Sequence, residues 1–147
     1  MARLILDSTV LITAERSAHR LDRLLADGDD VAIAAVTAAE LLLGVELADA
    51  SHREPRRSFV ESVLSVVPVE TYDLDVARAH AALLAHARRS GRPPGAHDLI
   101  IAATAVARRR EVVSGDRGGF RELPGVVLRP ATPGAGPARR GGRRPSG

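Results

Sequence analysis

The chain has 147 residues, enough for one domain with a buried core, and 45% of them are hydrophobic. It contains no Cys and no Lys, which excludes disulfides, cysteine-based zinc sites, a P-loop and Schiff-base catalysis. The net charge of +3 arises in the segment Pro130–Gly147, which has four Arg and no acid, whereas the preceding part has 17 Arg against 18 acids. No basic segment, cleavage site or long apolar run opens the chain, so we expect a cytoplasmic protein without a signal peptide or a membrane span.

The first half of the chain alternates short apolar runs with amphipathic segments. The predicted elements are a strand at 4–6, a helix at 9–16, an amphipathic segment (Leu21, Leu24 and Leu25) that ends near Gly28, a strand at 31–34 and a helix to about Ala50. The stretch Thr37-Ala38-Ala39-Glu40 has the form of a capping box, which predicts that this helix begins there. The run at 4–6 is apolar on both faces, which is typical of a central strand in a parallel sheet.

The second half continues the alternation. Its predicted elements are a helix at 56–66, a short strand at 67–69, helices at 73–90 and 97–107, and strands at 111–114 and 126–128. Gly91, followed by Pro93 and Pro94, is well placed to end the long helix. Strands that are separated by helices, without tight hairpins, predict a parallel α/β sheet with helices on its faces.

Four acids occupy related positions in these elements. Each one ends a strand or lies near the start of a helix: Asp7, Glu40, Asp98 and Asp116. In a parallel sheet these positions share one edge, where the carboxylates would repel one another unless a cation compensates. Oxygen ligands without Cys suit Mg²⁺ or Mn²⁺, and such an ion promotes phosphodiester hydrolysis. The competing interpretation is that these acids only cap helices.

Four stretches resemble the motifs of PIN-domain ribonucleases and, more narrowly, those of the VapC toxins of type II toxin–antitoxin systems. They are Leu4–Leu11, Thr37–Gly44, Ala96–Ala105 and Val113–Asp116, and the match runs in order across roughly residues 3 to 128. The resemblance implies an α/β, PIN-like three-layer fold with a central, mainly parallel sheet of four to five strands flanked by helices. The PIN-like nuclease domain would span residues 1–129, followed by a disordered Pro/Gly/Arg-rich tail at 130–147.

The resemblance also implies an activity. Proteins of this kind are Mg²⁺-dependent endoribonucleases, with Mn²⁺ a possible substitute, that leave 5′-phosphate and 3′-hydroxyl ends. The implied catalytic and metal-binding residues are Asp7, Glu40, Asp98 and Asp116, with Ser8 and Ser114 as supporting polar groups. The implied partners are an RNA substrate, a cognate VapB-like antitoxin and a second copy of the chain in a homodimer.

The sequence departs from the family pattern after the fourth motif. Many relatives carry a further acid just before the Phe that follows this motif, whereas this chain has Gly119 before Phe120. Because one carboxylate is missing, we expect one well-occupied metal ion rather than two.

Several basic segments and one histidine permit two interpretations. Arg88, Arg89 and Arg92 could contact RNA phosphates, but cations are also stabilised at the end of a helix. His97 could act as a base beside Asp98, although a surface or capping role is the simpler interpretation. The tail is either a solvated extension or an RNA-binding arm. The alternative to a nuclease is therefore a non-catalytic, metal-binding module that holds RNA with its Arg-rich tail.

Overall fold

A computed structural model describes residues 1–17, 22–23, 28–92, 94–116, 118–120 and 122–131. Within these ranges, helices follow or separate the strands of one sheet. The bounds, in chain order, are β1 Arg3–Leu6, α1 Ser8–Glu15, β2 Asp30–Ala34, α2 Ala35–Leu47, α3 Arg53–Val66, β3 Val69–Glu70, α4 Leu74–Ser90, α5 Ala96–Arg108, β4 Glu111–Ser114 and β5 Leu128–Pro130.

The five strands form a single sheet with β1 at its centre. The strand order is β3-β2-β1-β4-β5, and every neighbouring pair is parallel. The prediction of a parallel α/β sheet with a central first strand is confirmed. Because all five strands point the same way, their carboxyl ends lie along one edge of the sheet.

Helices cover both faces of the sheet, which gives the predicted three layers. Side chains of β1 alternate between the faces: Leu4 and Leu6 pack with α1, α2 and α3, whereas Ile5 packs with α4 and α5. This alternation follows from the period of two in a strand. All three side chains are buried because each face of the strand is covered.

Helices α4 and α5 form an antiparallel pair on one face. Asp73 caps the start of α4 by accepting a hydrogen bond from the backbone N–H of Val76, and Gly91 ends the helix in the left-handed conformation, with φ of 71°. A glycine is favoured there because the left-handed region carries no steric penalty for it. The prediction of a long helix that ends at Gly91 is confirmed, and the chain then reverses direction to begin α5 at the carboxyl edge of the sheet.

The last strand lies two residues later than predicted. Hydrogen bonds to β4 set its register, with Val112 opposite Leu128 and Ser114 opposite Pro130. The prediction of 126–128 was wrong because it followed an apolar run, whereas pairing with β4 defines the strand. Pro130 had been assigned to the tail and belongs to the sheet. The remainder of the predicted tail, 132–147, lies outside the described residues.

The start of α2 also differs from the prediction. Strand β2 continues directly into the helix, so Ala34 is the cap residue and makes no side-chain capping bond. Thr37 is fully buried, and its hydroxyl has no hydrogen-bond partner among the residues described above. The capping-box interpretation was therefore wrong, and Glu40 lies in the second turn of the helix rather than in the first.

Two further boundaries also differ from the prediction. Helix α3 begins at Arg53, three residues before the predicted start, and the short strand β3 spans Val69–Glu70 rather than 67–69. Most of the amphipathic segment predicted before Gly28 lies outside the described residues. None of the helices described is both long enough and apolar enough to span a membrane.

One buried cation joins four strands, near the amino ends of β1, β2 and β4 and at the last residue of β3. The side chain of Arg110, which precedes β4, is 5% exposed. Its Nη1 donates hydrogen bonds to the carbonyl oxygen of Leu4 at 3.2 Å, and to the carbonyl oxygen and Oδ1 of Asp30 at 3.0 Å each. Its Nε donates to Glu70 Oε1 at 3.0 Å. The guanidinium group therefore links the sheet from β4 across β1 and β2 to β3.

Arg110→Met should destabilise the fold strongly. The substitution leaves two acids at the sheet edge without their shared cation, and breaking a buried ion pair typically costs about 3 kcal/mol or more. The free energy of unfolding from urea denaturation measures the effect. Arg57→Met is the matched control because Arg57 pairs with Glu54 only at the exposed surface of α3, where we expect a loss of about 1 kcal/mol or less. Equal losses in the two variants would contradict the role assigned to Arg110.

Candidate active site

Asp7 lies between β1 and α1 and is held rigidly at the carboxyl edge. Its backbone N–H donates to the carbonyl oxygen of Val113 at 3.1 Å, which extends the β1–β4 pairing by one residue. Its side chain caps α1 and accepts hydrogen bonds at Oδ1 from Thr9 Oγ1 at 2.6 Å and from the Val10 N–H at 3.3 Å. The residue is 3% exposed, so these contacts fix the direction of a nearly buried carboxylate.

Two hydroxyl groups connect Asp7 to the end of β4. Ser114 Oγ lies within hydrogen-bond reach of Asp7 Oδ2 and of the Asp116 carbonyl oxygen, and it accepts a hydrogen bond from the Asp116 N–H at 3.0 Å. Thr9 Oγ1 accepts from the Gly115 N–H at 3.1 Å. The two strand ends that carry Asp7 and Asp116 are therefore joined by side chains as well as by the backbone.

Asp98 lies in the first turn of α5 and experiences the charge of the other acids. Burial raises the pKa of Asp98, and the negative charges of three further carboxylates raise it more: those of Asp7, Asp116 and Glu40. A nearby His97 acts in the opposite direction. The structure thus brings all four predicted acids into one electrostatic neighbourhood.

The carboxylate of Asp98 lies directly over Gly119. A Cβ atom built on Gly119 would clash with Asp98 Oδ2 and would lie 3.2 Å from Asp98 Cγ. The position at which many relatives carry an acid therefore has no room for a side chain while Asp98 keeps this orientation. Gly95 approaches from the other side, with an ideal Cβ 3.7 Å from Asp98 Oδ2.

The side chain of Glu40 contacts His97 and does not cap the start of α2. His97 Nδ1 lies 2.9 Å from Glu40 Oε1, and Glu40 is the less exposed of the two side chains. This contact joins α2 to the start of α5. The sequence suggested a base or a surface or capping role for His97 but not this contact, because the histidine and Glu40 are 57 positions apart and no local signal connects them.

The four acids do not converge on one point. Asp116 is exposed and accepts a hydrogen bond at Oδ1 from the Gly118 N–H at 3.0 Å, while Asp7 and Glu40 have the partners given above. Across the described ranges, no three acidic or histidine side chains lie close enough together to hold a metal ion as they stand. The site is therefore an edge of the sheet along which the four acids lie, and each acid contacts different residues.

The supporting residues differ in their placement. Ser8 begins α1, but its neighbour Thr9 makes the hydrogen bond to Asp7. Arg88 and Arg89 are exposed in the last turn of α4. Arg92 follows that helix and lines a cavity that Gly119 also lines. Of the three arginines, Arg92 is the one that borders the cavity.

Comparison with known proteins gives the family of this chain. The family model of the PIN domain matches residues 4–126. The chain belongs to the PIN domain family. Ribonuclease VapC5 of Mycobacterium tuberculosis is 40% identical over 115 residues, which cover 76% of this chain and 82% of that protein. The tRNA(fMet)-specific endonuclease VapC of Salmonella typhimurium is 28% identical over 130 residues, which cover 87% and 97%.

A solved structure extends the comparison to the fold. The crystal structure of VapBC-5 from Mycobacterium tuberculosis, described as a member of the VapBC family of toxin–antitoxin systems, contains a chain that superposes with a TM-score of 0.70. That chain is 34% identical, and the match covers 88% of this chain and 98% of the other. This PIN domain is therefore of the VapC type, as the resemblance of its four motifs implied.

Ser114→Ala should destabilise this PIN domain by about 1–3 kcal/mol, because the nearly buried carboxylate of Asp7 loses a hydrogen-bond donor. Ser114→Thr retains the hydroxyl and should lose less. Urea denaturation measures both changes. Ser62→Ala is the matched control, since the hydroxyl of Ser62 is exposed and bonds only to the carbonyl oxygen of Ser58 within α3. A loss at Ser114 no larger than that at Ser62 would contradict the bridging role.

Proposed function

We propose that this PIN domain is a Mg²⁺-dependent endoribonuclease and acts as the toxin of a type II toxin–antitoxin pair. The observation that carries the proposal is the placement of four carboxylates along one edge of the sheet, where burial of Asp98 and the charges of Asp7, Asp116 and Glu40 raise the pKa of Asp98. Relatives named ribonuclease or endonuclease VapC support a nuclease over a module that only binds RNA.

The chemistry of the donor set fits a hard cation. The side chains at this edge that could coordinate are carboxylates, and among the described residues no Arg forms an ion pair with them. A cation would relieve the repulsion that raises the pKa of Asp98. When bound, Mg²⁺ or Mn²⁺ neutralises charge on the phosphate and activates a water molecule.

The four acids would contribute in different ways. Asp7 offers a carboxylate whose direction is already fixed by β1, Thr9 and Ser114, which limits the reorganisation needed on binding. Asp98 has no hydrogen-bond donor in the described part of the chain, so it is free to rotate toward an ion. Glu40 and Asp116 would complete the site from α2 and from the end of β4, after exchanging their present contacts with His97 and the Gly118 N–H.

We propose RNA as the substrate and a VapB-like protein as the partner. A related chain in a VapBC toxin–antitoxin structure supports the antitoxin assignment. An endonuclease specific for tRNA(fMet) among the relatives supports an RNA substrate. We also expect a homodimer, as the family resemblance implies.

Asp7→Asn and Asp98→Asn should each lower RNA cleavage by about 100-fold or more, because each preserves the side-chain shape but removes a negative charge that would hold the metal ion at the reacting phosphate. Cleavage of total RNA by the purified protein in Mg²⁺ buffer measures the loss, and growth of cells that express each variant measures toxicity. Circular dichroism confirms that the variants are folded.

The matched control is Asp75→Asn, which changes an exposed acid in the first turn of α4. This turn begins beside Arg108 at the end of α5, whereas Asp98 lies at the start of α5. We expect this variant to cleave RNA and to inhibit growth like the parent chain. The proposal is wrong if the parent protein with Mg²⁺ cuts no RNA and the Asp7 and Asp98 variants remain toxic.

The close approach of Asp98 to Gly119 predicts a single tight metal site. No carboxylate is available at position 119, so a second ion would lack a ligand that many relatives supply. Isothermal titration of the full chain with Mn²⁺ should give one ion per chain, and Asp98→Asn should weaken its binding by about tenfold or more. Two equally tight ions per chain would contradict this prediction.

A further inference from the structure

An open cavity of about 400 Å³ lies between the end of α4 and the residues 118–119 and 122–123. Gly119 forms part of its wall and is also the residue over which the Asp98 carboxylate lies. Pro94, next to Gly95, borders the cavity as well. The cavity is therefore continuous with the acidic edge, and its volume is in the range of small-ligand sites, about 300–1,000 Å³.

The cavity combines an apolar floor with polar walls. Ala87 and Leu123 are buried at the floor. The polar side chains at the walls are His86, Ser90, Arg92 and Glu122. The Ser90 hydroxyl donates to the carbonyl oxygen of Ala87 at 2.9 Å, which leaves its oxygen able to accept a hydrogen bond from a ligand. Arg92 forms no ion pair within the described part of the chain, so its donors are available as well.

Glu122 occupies a strained backbone conformation at this wall. Its φ of 66° lies in the left-handed region, which is sterically unfavourable for a residue other than glycine. Such strain persists where the surrounding structure or a function requires it, and many strained residues lie at ligand sites. This backbone conformation is independent of the shape of the cavity. Among the described residues, no hydrogen-bond donor contacts the Glu122 carboxylate.

These groups match one nucleotide of a single-stranded RNA. A guanidinium group binds phosphate through charge-assisted hydrogen bonds, and an imidazole ring such as that of His86 can stack on a base. A carboxylate repels phosphate but accepts hydrogen bonds from base N–H groups. Guanine presents two adjacent N–H donors on its Watson–Crick edge, which both oxygens of one carboxylate can accept together, whereas no other base offers such a pair.

We infer that this cavity is a guanine-selective subsite beside the scissile phosphate, an inference that rests on the proposed endoribonuclease function. Arg92 holds a flanking phosphate, and Glu122 selects the base. Arg92 thereby differs from Arg88 and Arg89, which lie on the preceding helical turn and do not border the cavity.

Binding of short RNAs to the full chain tests this inference. Four fluorescent pentanucleotides, identical except for G, A, C or U at the central position, are titrated in Ca²⁺ buffer, which supplies a hard cation for the acidic edge. Intact RNA is verified after each titration, and fluorescence anisotropy gives the affinities. The parent chain should bind the G oligonucleotide about tenfold more tightly than the others, the ratio that corresponds to one charge-assisted hydrogen bond.

The variants separate the two roles. Glu122→Gln should abolish the preference for G without weakening the binding of A, C or U. Arg92→Gln should weaken all four RNAs alike and reduce the salt dependence of binding. Arg89→Gln is the matched control, and it should leave the preference unchanged. Glu122→Gly should also lose the preference for G. It should raise the free energy of unfolding, because glycine removes the backbone strain. That result would show that the Glu122 carboxylate does not stabilise the fold.

The outcomes also separate this inference from the proposed function. Equal binding of the four RNAs, or a preference for G that survives in Glu122→Gln, overturns the subsite even if the chain cleaves RNA. A preference that depends on Glu122, in a chain that cleaves no RNA under Mg²⁺, supports the subsite and overturns the nuclease.

Discussion

The parallel pairing of β1 with β2 on one side and β4 on the other is the constraint on which the acidic edge depends. The pairing continues beyond β1 through the hydrogen bond from the Asp7 N–H to Val113, so the first acid is fixed by the sheet itself. Parallel strands also direct the ends of β2 and β4 to the same edge. The chain reverses direction between α4 and α5, and this reversal places the start of α5, with Asp98, at the same edge.

The acids of the sheet fall into two groups that have different partners. Two acids have Arg partners: Asp30, at the amino end of β2, pairs with Arg3 and Arg110, and Glu70, the last residue of β3, pairs with Arg110. At the carboxyl edge, hydroxyl groups, backbone N–H groups and one histidine contact the acids instead. Arg partners compensate the charges of Asp30 and Glu70, whereas the carboxyl edge retains an excess of negative charge that a cation would relieve.

Much of this arrangement could be predicted from the sequence, and the failures have a common cause. Apolar runs identified β1, β2 and β4 because these strands are buried on both faces. The edge strand β5 was misplaced because an apolar run does not reveal which residues pair with β4. The capping box at Thr37 was misread because the direct continuation of β2 into α2 starts the helix earlier, and local sequence patterns do not record that continuation.

The sequence by itself determined the fold class, the family motifs and the four acids, since short-range periodicity and fixed motif spacing carry that information. Only the tertiary structure decided which distant residues the acids contact. The contacts of Asp7 with Ser114, of Glu40 with His97, and of Asp98 with Gly119 join residues that different elements bring together, and the strained Glu122 faces a cavity that no single segment forms. Such contacts depend on how elements pack in three dimensions, so no local pattern in the chain could specify them.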